Sequence, residues 1–565
     1  MNSLVLLLIG IIVLVIGYVT YGSWLSKEWG IEPNRPTPAH TEEDGVDYVP
    51  AKSPVLMGHH FASIAGAGPI NGPIQAAIFG WIPVLLWILI GGIFFGAVQD
   101  FSSLFASIRH KGKSIGFVIE ENVGKKAKKL FLIFSYLTLL LVVAAFASIV
   151  VGTFNGYNAE GALVPANGST ATISMLFILV AIAFGVFVYR KNTPLGISTV
   201  IGVAGIILCI ILGLNFPVYL SGNMWLMIVL AYIFVASVTP VWILLQPRDY
   251  LNSFLLYGMM IAAVLGVLFS HPNIELPAFT GFTGINGNSQ LFPMLFITVA
   301  CGAISGFHSL VGSGTTSKQL DKESDAKLIG YGGMLIECGL AVIALITVGI
   351  LYKDGALPSG TPTQVFATGI ATMVSNMGFP NAYDVTYAII ILAVSAFCLT
   401  SLDTATRLAR YMFQELFVDE GEDASKLTGY KKLCANAYFA TFVTVAIGGL
   451  MAAGGYAKIW PLFGSANQLL AALALLAVAA WLGNVGKNNK MFIFPMVFML
   501  AATLCALVIT FVKNVSALSA GTGAMSKEGL QIFFIILLVV LAINLTLEGV
   551  KTLRTKKPAE ESKAA

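Results

Sequence analysis

The chain has 565 residues, of which 57% are hydrophobic and only 11% charged, with a formal net charge of +4 and a mean hydropathy of +0.84. A water-facing globular surface needs far more charge, so a soluble enzyme is excluded and most of the chain meets lipid or other membrane helices. The small positive charge carries topology and gives no sign of nucleic-acid binding.

Hydrocarbon offers backbone groups no water, so an apolar chain spans it as helices or as a closed barrel. The apolar stretches here run for about 18 to 24 residues without the alternation of barrel strands, which predicts an all-α, polytopic membrane protein. In chain order the expected spans are Leu4 to Trp24, Val55 to Ile78, Phe79 to Val98, Leu130 to Thr153, Ile173 to Tyr189, Leu195 to Leu214, Met224 to Leu245 and Ser253 to Ser270. Then follow Leu291 to Val311, Leu328 to Leu351, Val385 to Leu402, Ala435 to Ala453, Ile459 to Leu482, Met491 to Val512 and Leu530 to Leu547. That makes about fifteen transmembrane helices. The first span lacks a basic leader and a small-residue cleavage pattern and reads as a retained anchor.

Lys and Arg mark the cytoplasmic side. Arg109, Lys111, Lys113, Lys125, Lys126, Lys128 and Lys129 form the strongest anchor, and Arg190 with Lys191, Lys318 to Lys327, Arg407 to Lys432, and Lys487 with Lys490 fall on the same side. The tail with Lys551, Arg554, Lys556 and Lys557 is thereby cytoplasmic and the N-terminus outside, in a multi-pass protein of the cytoplasmic (inner) membrane. The six cysteines show no paired spacing, so neither a metal site nor a disulfide framework is expected.

Function is sought where the membrane rules are broken. His59, His60, Ser63, Gly66, Gly68, Pro69 and Asn71 lie in G-H-H-F-A-S-I-A-G-A-G-P-I-N-G-P, through which no straight helix runs. Unwound backbone there offers N–H groups to an anion and carbonyls to a cation. A second break, at Ser237, Thr239 and Pro240, falls in the sixth helix counted from the first. Interrupted first and sixth helices mark a five-plus-five inverted repeat of the leucine-transporter type, with residues 55–214 and 224–402 as its halves inside a 55–402 core. Residues 1–54 add a helix and loop before this core, and 403–565 add helices and a cytoplasmic tail after it.

A third polar stretch, Cys301 to Gln319, carries His308, Ser309, Ser313, Thr315 and Thr316. Either its hydroxyls complete a cation site or His308 carries a proton; otherwise the hydroxyls bond back to their own helix. Ionisable groups in the membrane cost roughly 2.5 to 3.5 kcal/mol each unless paired or hydrated. Glu337 sits mid-span and is a further coupling candidate, while Asp100, Arg248, Asp249, Asp403 and Arg407 sit at span ends, where they form either a gate of ion pairs or solvated interfacial charge.

The blocks G-H-H-F-A-S-I-A-G-A-G-P-I from Gly58, G-A-V-Q-D-F from Gly96, Q-P-R-D-Y-L from Gln246, S-G-F-H-S-L-V-G-S-G-T-T-S-K-Q from Ser305, T-S-L-D-T-A-T-R-L-A-R-Y from Thr400 and W-P-L-F-G-S-A-N-Q-L-L-A from Trp460 together resemble the carbon starvation protein A family. The resemblance covers nearly the whole chain. It implies a bacterial or archaeal secondary transporter, related to the amino acid-polyamine-organocation superfamily, for pyruvate or small peptides. A small carboxylate would suit the helix N-terminus after Gly66 to Pro73, and a zwitterionic peptide or amino acid would also need an acceptor such as Glu337. Carrying an anion into a negative-inside cell needs a coupling proton or sodium ion, because the potential opposes it by about 2.3 kcal/mol per charge per 100 mV. No other cofactor is expected. The adjacent histidines make a poor bidentate pair for an enzyme, no continuous polar stripe suggests a channel, and a nutrient-sensing role would act through a regulatory partner.

Overall fold

In the computed structural model, residues 1–554 are described apart from 159, 192, 286, 419–426 and 455. Part of the basic loop between Arg407 and Lys432, and Lys556 and Lys557 of the expected tail, lie outside the described residues. The long apolar stretches form helices, since only a helix satisfies its backbone within the segment. Among the described residues twelve helices are long and apolar enough to cross a bilayer, thirteen if the bent pair Gly429–Ala435 and Ala437–Ala452 counts as one span. The expected fifteen are therefore not reached by that measure. The remaining two segments are helical but are shortened by Gly and Pro, at Gly222–Val238 and at Ser53–Ile64 with Gly68–Ala76.

The helices used below are α1 (Ser3–Trp29), α2 (Ser53–Ile64), α3 (Gly68–Ala76), α4 (Trp81–Arg109), α5 (Lys125–Phe154), α6 (Pro165–Val188), α7 (Leu195–Asn215), α8 (Gly222–Val238) and α9 (Leu245–Ser270). They continue as α10 (Leu291–Val299), α11 (Gly306–Gly314), α12 (Glu323–Leu351), α13 (Pro362–Asn376), α14 (Pro380–Phe417), α15 (Ala437–Ala452), α16 (Ile459–Asn484), α17 (Lys490–Ser519) and α18 (Lys527–Arg554). The stretch between Tyr352 and Asp384, which falls between two expected spans, contains α13, which starts at a capping box of Thr361 and Gln364.

Three chain breaks shape the centre. Between α2 and α3 the helix stops at Ala65 (φ −74°, ψ 55°) and restarts with Pro69 in the first turn, where its missing N–H costs nothing. Between α10 and α11, Ala300 has φ +44° and Ser305 is extended. Between α8 and α9 the chain is extended at Thr239, and Arg407 donates from Nη2 to the carbonyls of Ala236 (2.8 Å) and Thr239. Its guanidinium thus satisfies helix-end acceptors that hydrocarbon would leave bare.

Helix packing differs from what the order of breaks suggested. The broken stretch lying against α3 is α10 with residues 300–302, and α11 lies against α2; α8 instead packs on α5, α14 and α15. The long helices α5 and α14 pack against each other. Helix pairings made by α2, α3 and α9 recur among α11 and α16: α3 on α12 with α11 on α4, α2 on α9 with α11 on α16, and α9 on α14 with α16 on α5. The α6–α7 pair is peripheral, and the central part of α16 is wholly buried. At one end Arg109 meets Gly30 and Glu323, Lys487 meets Trp29, and Lys126 meets Glu548 (2.8 Å), so the basic segments gather there. At the other end the Met1 ammonium reaches Ile274 and the Thr280 hydroxyl reaches Ile78.

Candidate functional site

Polar side chains enclosed by these helices fall into four groups. The first surrounds His308 of α11. Its Nδ1 donates to Asp100 Oδ2 of α4 at 2.8 Å, and its Nε2 faces Glu337 Oε2 of α12 at 3.5 Å. All three side chains are buried, and neither Glu337 oxygen has a hydrogen-bond partner. With Nδ1 as donor, neutral imidazole turns a lone pair toward Glu337, so two acceptors oppose one another unless a proton occupies one of them. The arrangement is suited to holding one exchangeable proton. Asp100, expected in a gate, belongs here instead, because α4 packs against α11.

The second group is a chain of charges across α2, α8, α9 and α14. His59 Nδ1 donates to Asp249 Oδ2 at 2.7 Å, Arg248 Nη2 donates to Asp249 Oδ1 at 3.1 Å, and Arg248 Nη1 reaches Asp403 and the Tyr232 hydroxyl. Tyr232 donates to Asp403 at 2.7 Å. On the far side of His59, Gln319 Nε2 donates to its Nε2 at 3.2 Å, and Gln246 Nε2 donates to Gln319 Oε1 at 2.7 Å. Both imidazole nitrogens are thus engaged, and His59 is a member of this network rather than a group presented at the break. Arg248, Asp249 and Asp403 are joined in one buried ion-pair network, while Arg407 stands apart, paired with Asp47 at 3.2 Å.

The third group is the first break. A Cβ on Gly66 would stand 2.7 Å from the Phe146 ring, one on Gly68 2.5 Å from Cys301 Cβ, and one on Gly72 2.2 Å from the Val299 carbonyl oxygen. The glycines therefore let α2, α3 and the second broken segment approach closely. Ser401 donates to the Ser63 carbonyl at 3.0 Å, and Ser63 and Thr404 hydroxyls lie 3.3 Å apart. Pro69 and Asn71 are buried in the first turn of α3, and His60 hydrogen-bonds Thr316 at 2.8 Å with its Nε2 unpartnered. Ser237 and Thr239 do not join them: Ser237 pairs with Thr441 at 3.2 Å and Thr239 bonds back to Val235.

The fourth group holds the second break by side-chain amides. Gln468 Nε2 donates to the Ile304 carbonyl (2.8 Å), Gln99 Nε2 to the Ser305 carbonyl (2.7 Å), and Asn467 both accepts from the Phe307 N–H (2.7 Å) and donates to Ser305 Oγ (3.1 Å). Ser309, Ser313 and Thr315 bond back to their own helix, at Gly306, Ser309 and Val311. Their hydroxyl hydrogens are thus spent within the helix. Among the described residues no group of three or more His, Cys, Asp or Glu side chains could hold a metal ion.

Three comparisons bear on this geometry. The carbon starvation protein CstA family matches residues 2–359 and 355–506. The chain belongs to that family. The peptide transporter CstA of Campylobacter jejuni is 34% identical over 576 residues, spanning 89% of this chain and 79% of its own. The pyruvate/proton symporter BtsT of Escherichia coli is 32% identical over 604 residues, spanning 90% and 81%. A crystal structure of a variant manganese transporter from Eremococcus coleocola aligns with a TM-score of 0.51 at 12% identity over 90% of this chain and 99% of that one, which shows a shared fold.

The CstA family blocks also contain the residues that sequence reasoning passed over. Gln99, Gln246, Gln319, Ser401, Thr404, Asn467 and Gln468 all lie inside the six blocks quoted above. Uncharged amides and hydroxyls within apolar spans gave the only signal, and it was overshadowed by the histidines and charges.

Proposed function

We propose that this chain is a secondary transporter that imports a small carboxylate such as pyruvate, together with protons, across the cytoplasmic membrane. The observation that carries this reading is the buried trio of Asp100, His308 and Glu337, in which His308 Nε2 and Glu337 oppose each other at 3.5 Å and accommodate one proton between them. The symporter named for pyruvate and protons, at 32% identity, supports the same substrate and ion. The carboxylate would meet the N-terminal end of α3, whose first turn holds Gly68, Pro69 and Asn71. Sodium is the less favoured ion at the second break, since the Ile304 and Ser305 carbonyls already accept from amides.

Uptake of small peptides is the second reading, supported by the name of the Campylobacter jejuni relative. A peptide ammonium needs an acceptor, and in this structure Glu337 faces His308 while the unwound carbonyls at 304 and 305 are engaged. That favours the carboxylate. On either reading the chain transports and does not catalyse. The gathered basic end is read as cytoplasmic, with the N-terminus outside. The matched helix pairings support repeats spanning 53–270, with α6 and α7 interpolated, and 291–484, in place of 55–214 and 224–402.

Proteoliposomes loaded at defined pH test this directly. Labelled pyruvate should accumulate under an inward proton gradient and not under a sodium gradient alone. Accumulation of labelled dipeptides in place of pyruvate would transfer the reading to peptides, and no uptake of either under any gradient would sink it.

A further inference from the structure

Residues 30–52, between α1 and α2, run across the basic end of the bundle and fasten it on two sides. On one side they hold the chain that follows α11. The Ala51 N–H donates to the Gln319 carbonyl (3.0 Å), the Thr37 hydroxyl donates to the Leu320 carbonyl, and His40 hydrogen-bonds Asp321 (2.8 Å). The Tyr48 hydroxyl adds a bond to the Lys111 carbonyl just after α4 (3.1 Å), and α4 packs on α11. On the other side the segment meets α14 and the break after α8, which pack on each other. There Asp47 accepts from Arg407 Nη1 (3.2 Å) and from the Tyr411 hydroxyl (2.5 Å), and the Val46 carbonyl accepts from the Val241 N–H (3.3 Å).

The second set of contacts comes from the turn at residues 44–48, whose shape is set locally. Asp44 Oδ1 accepts from the N–H groups of Val46 (2.8 Å), Asp47 (2.9 Å) and Tyr48 (2.9 Å), so the turn keeps its form without α14. Behind it lies a cavity of about 430 Å³ whose lining includes Tyr48, Tyr411 and the buried Met412. The two sides are unequal. Consecutive residues 319–321 are bound through backbone and side chain, whereas α14 is reached through one carboxylate at the edge of the bundle, where parting ions are rehydrated and the loss is small. Arg407 is not left bare by that parting, because its Nη2 still donates to the Ala236 and Thr239 carbonyls.

We propose that the turn at residues 44–48 is a latch across the basic-end mouth of the protein and that Asp47 is its gating residue. When α4 and α11 part from α8 and α14, the turn stays with α11, releases Arg407 and Tyr411, and opens the cavity to solution. This rests on the uptake reading, in which a carried solute has to leave at one end.

Two measurements test it. In the full chain in nanodiscs, Met412→Cys should be alkylated slowly by a charged maleimide, read at that position by peptide mass spectrometry. Adding Asp47→Ala should speed the labelling about tenfold or more, while His40→Ala, on the fixed side, should leave it within about twofold. Should Met412→Cys misfold, native Cys434, beside the lining residue Ala435, reports on the same cavity. In proteoliposomes, a disulfide between Val46→Cys and Val241→Cys, whose backbones are already hydrogen-bonded, should stop pyruvate uptake until it is reduced. Faster labelling in Asp47→Ala with no uptake by the unaltered chain would support the latch and count against the uptake reading. The latch is overturned if Asp47→Ala labels no faster than its parent, or if the oxidised double variant transports as the reduced one does.

Discussion

His308 Nδ1 donates to the Asp100 carboxylate at 2.8 Å, although the two residues are 208 positions apart in the chain, and both are buried. Asp100 fixes which nitrogen of His308 carries the hydrogen, and so aims the other at Glu337. Replacing Asp100 with Asn permits the opposite tautomer. Pyruvate uptake should then fall about tenfold or more, as when a carboxylate that orients a histidine is amidated. In Glu337→Gln the uptake that remains should lose its dependence on an imposed pH gradient. An unaltered pH profile in both variants would remove the trio from coupling.

The close approach at the first break makes a second prediction. Gly68→Ala places a Cβ 2.5 Å from Cys301 Cβ, which cannot be relieved by rotating a side chain. A loss of about 1–3 kcal/mol is expected. Cys301→Gly should restore part of it in the double variant, read by thermal unfolding in detergent and by uptake; strict additivity of the two substitutions would mean that they do not touch. Gly68→Leu should abolish uptake while membrane insertion persists.

The Arg248 network should respond asymmetrically. Asp403→Leu leaves the buried guanidinium with Asp249 as its remaining carboxylate and should cost about 3–5 kcal/mol. Adding Arg248→Met removes the stranded charge and should recover part of the loss. If the double variant is less stable than Asp403→Leu alone, Arg248 is held by contacts other than these carboxylates.

Asp47 lies in the segment before α2, outside the spans. Burial by itself would raise its pKa, but Lys318, Arg407, the Tyr411 hydroxyl and Arg410 outweigh that and hold its carboxyl below the ordinary value. A carboxyl whose pKa is lower in the folded chain binds fewer protons when folded. Its stabilisation is therefore complete above the unfolded value, about 3.9, and is lost as pH falls through the folded value. The difference in unfolding temperature between the unaltered chain and Asp47→Asn should be constant from about pH 7 to about pH 5 and shrink below about pH 4. A difference that grows on acidification would reverse the sign.

What the residues determine alone is local. Spans of apolar residues without alternation are enough to require membrane helices, because every backbone group in hydrocarbon must bond within its own segment. The break at Gly66 to Pro69 follows from a missing N–H and missing side chains, and the gathering of basic residues at one end follows from the order of loops. The break at Ser237 to Pro240 was equally legible, yet it faces Thr441 and Arg407 and lies away from α3.

Partnership across the bundle was decided by tertiary structure. Nothing near His59 in the chain announces Asp249, 190 residues away, and nothing near Asp100 announces His308. Local periodicity reaches about four residues along a helix, whereas these pairs are set by which helix faces lie against each other. The same limit hid Gln99, Asn467 and Gln468, whose amides have meaning only beside the carbonyls that the second break exposes. The opening expectation of a transporter with a discontinuous-helix site thus rested on local chain chemistry, and the identity of the second broken segment, residues 300–305, rested on the packing that brings it to α3.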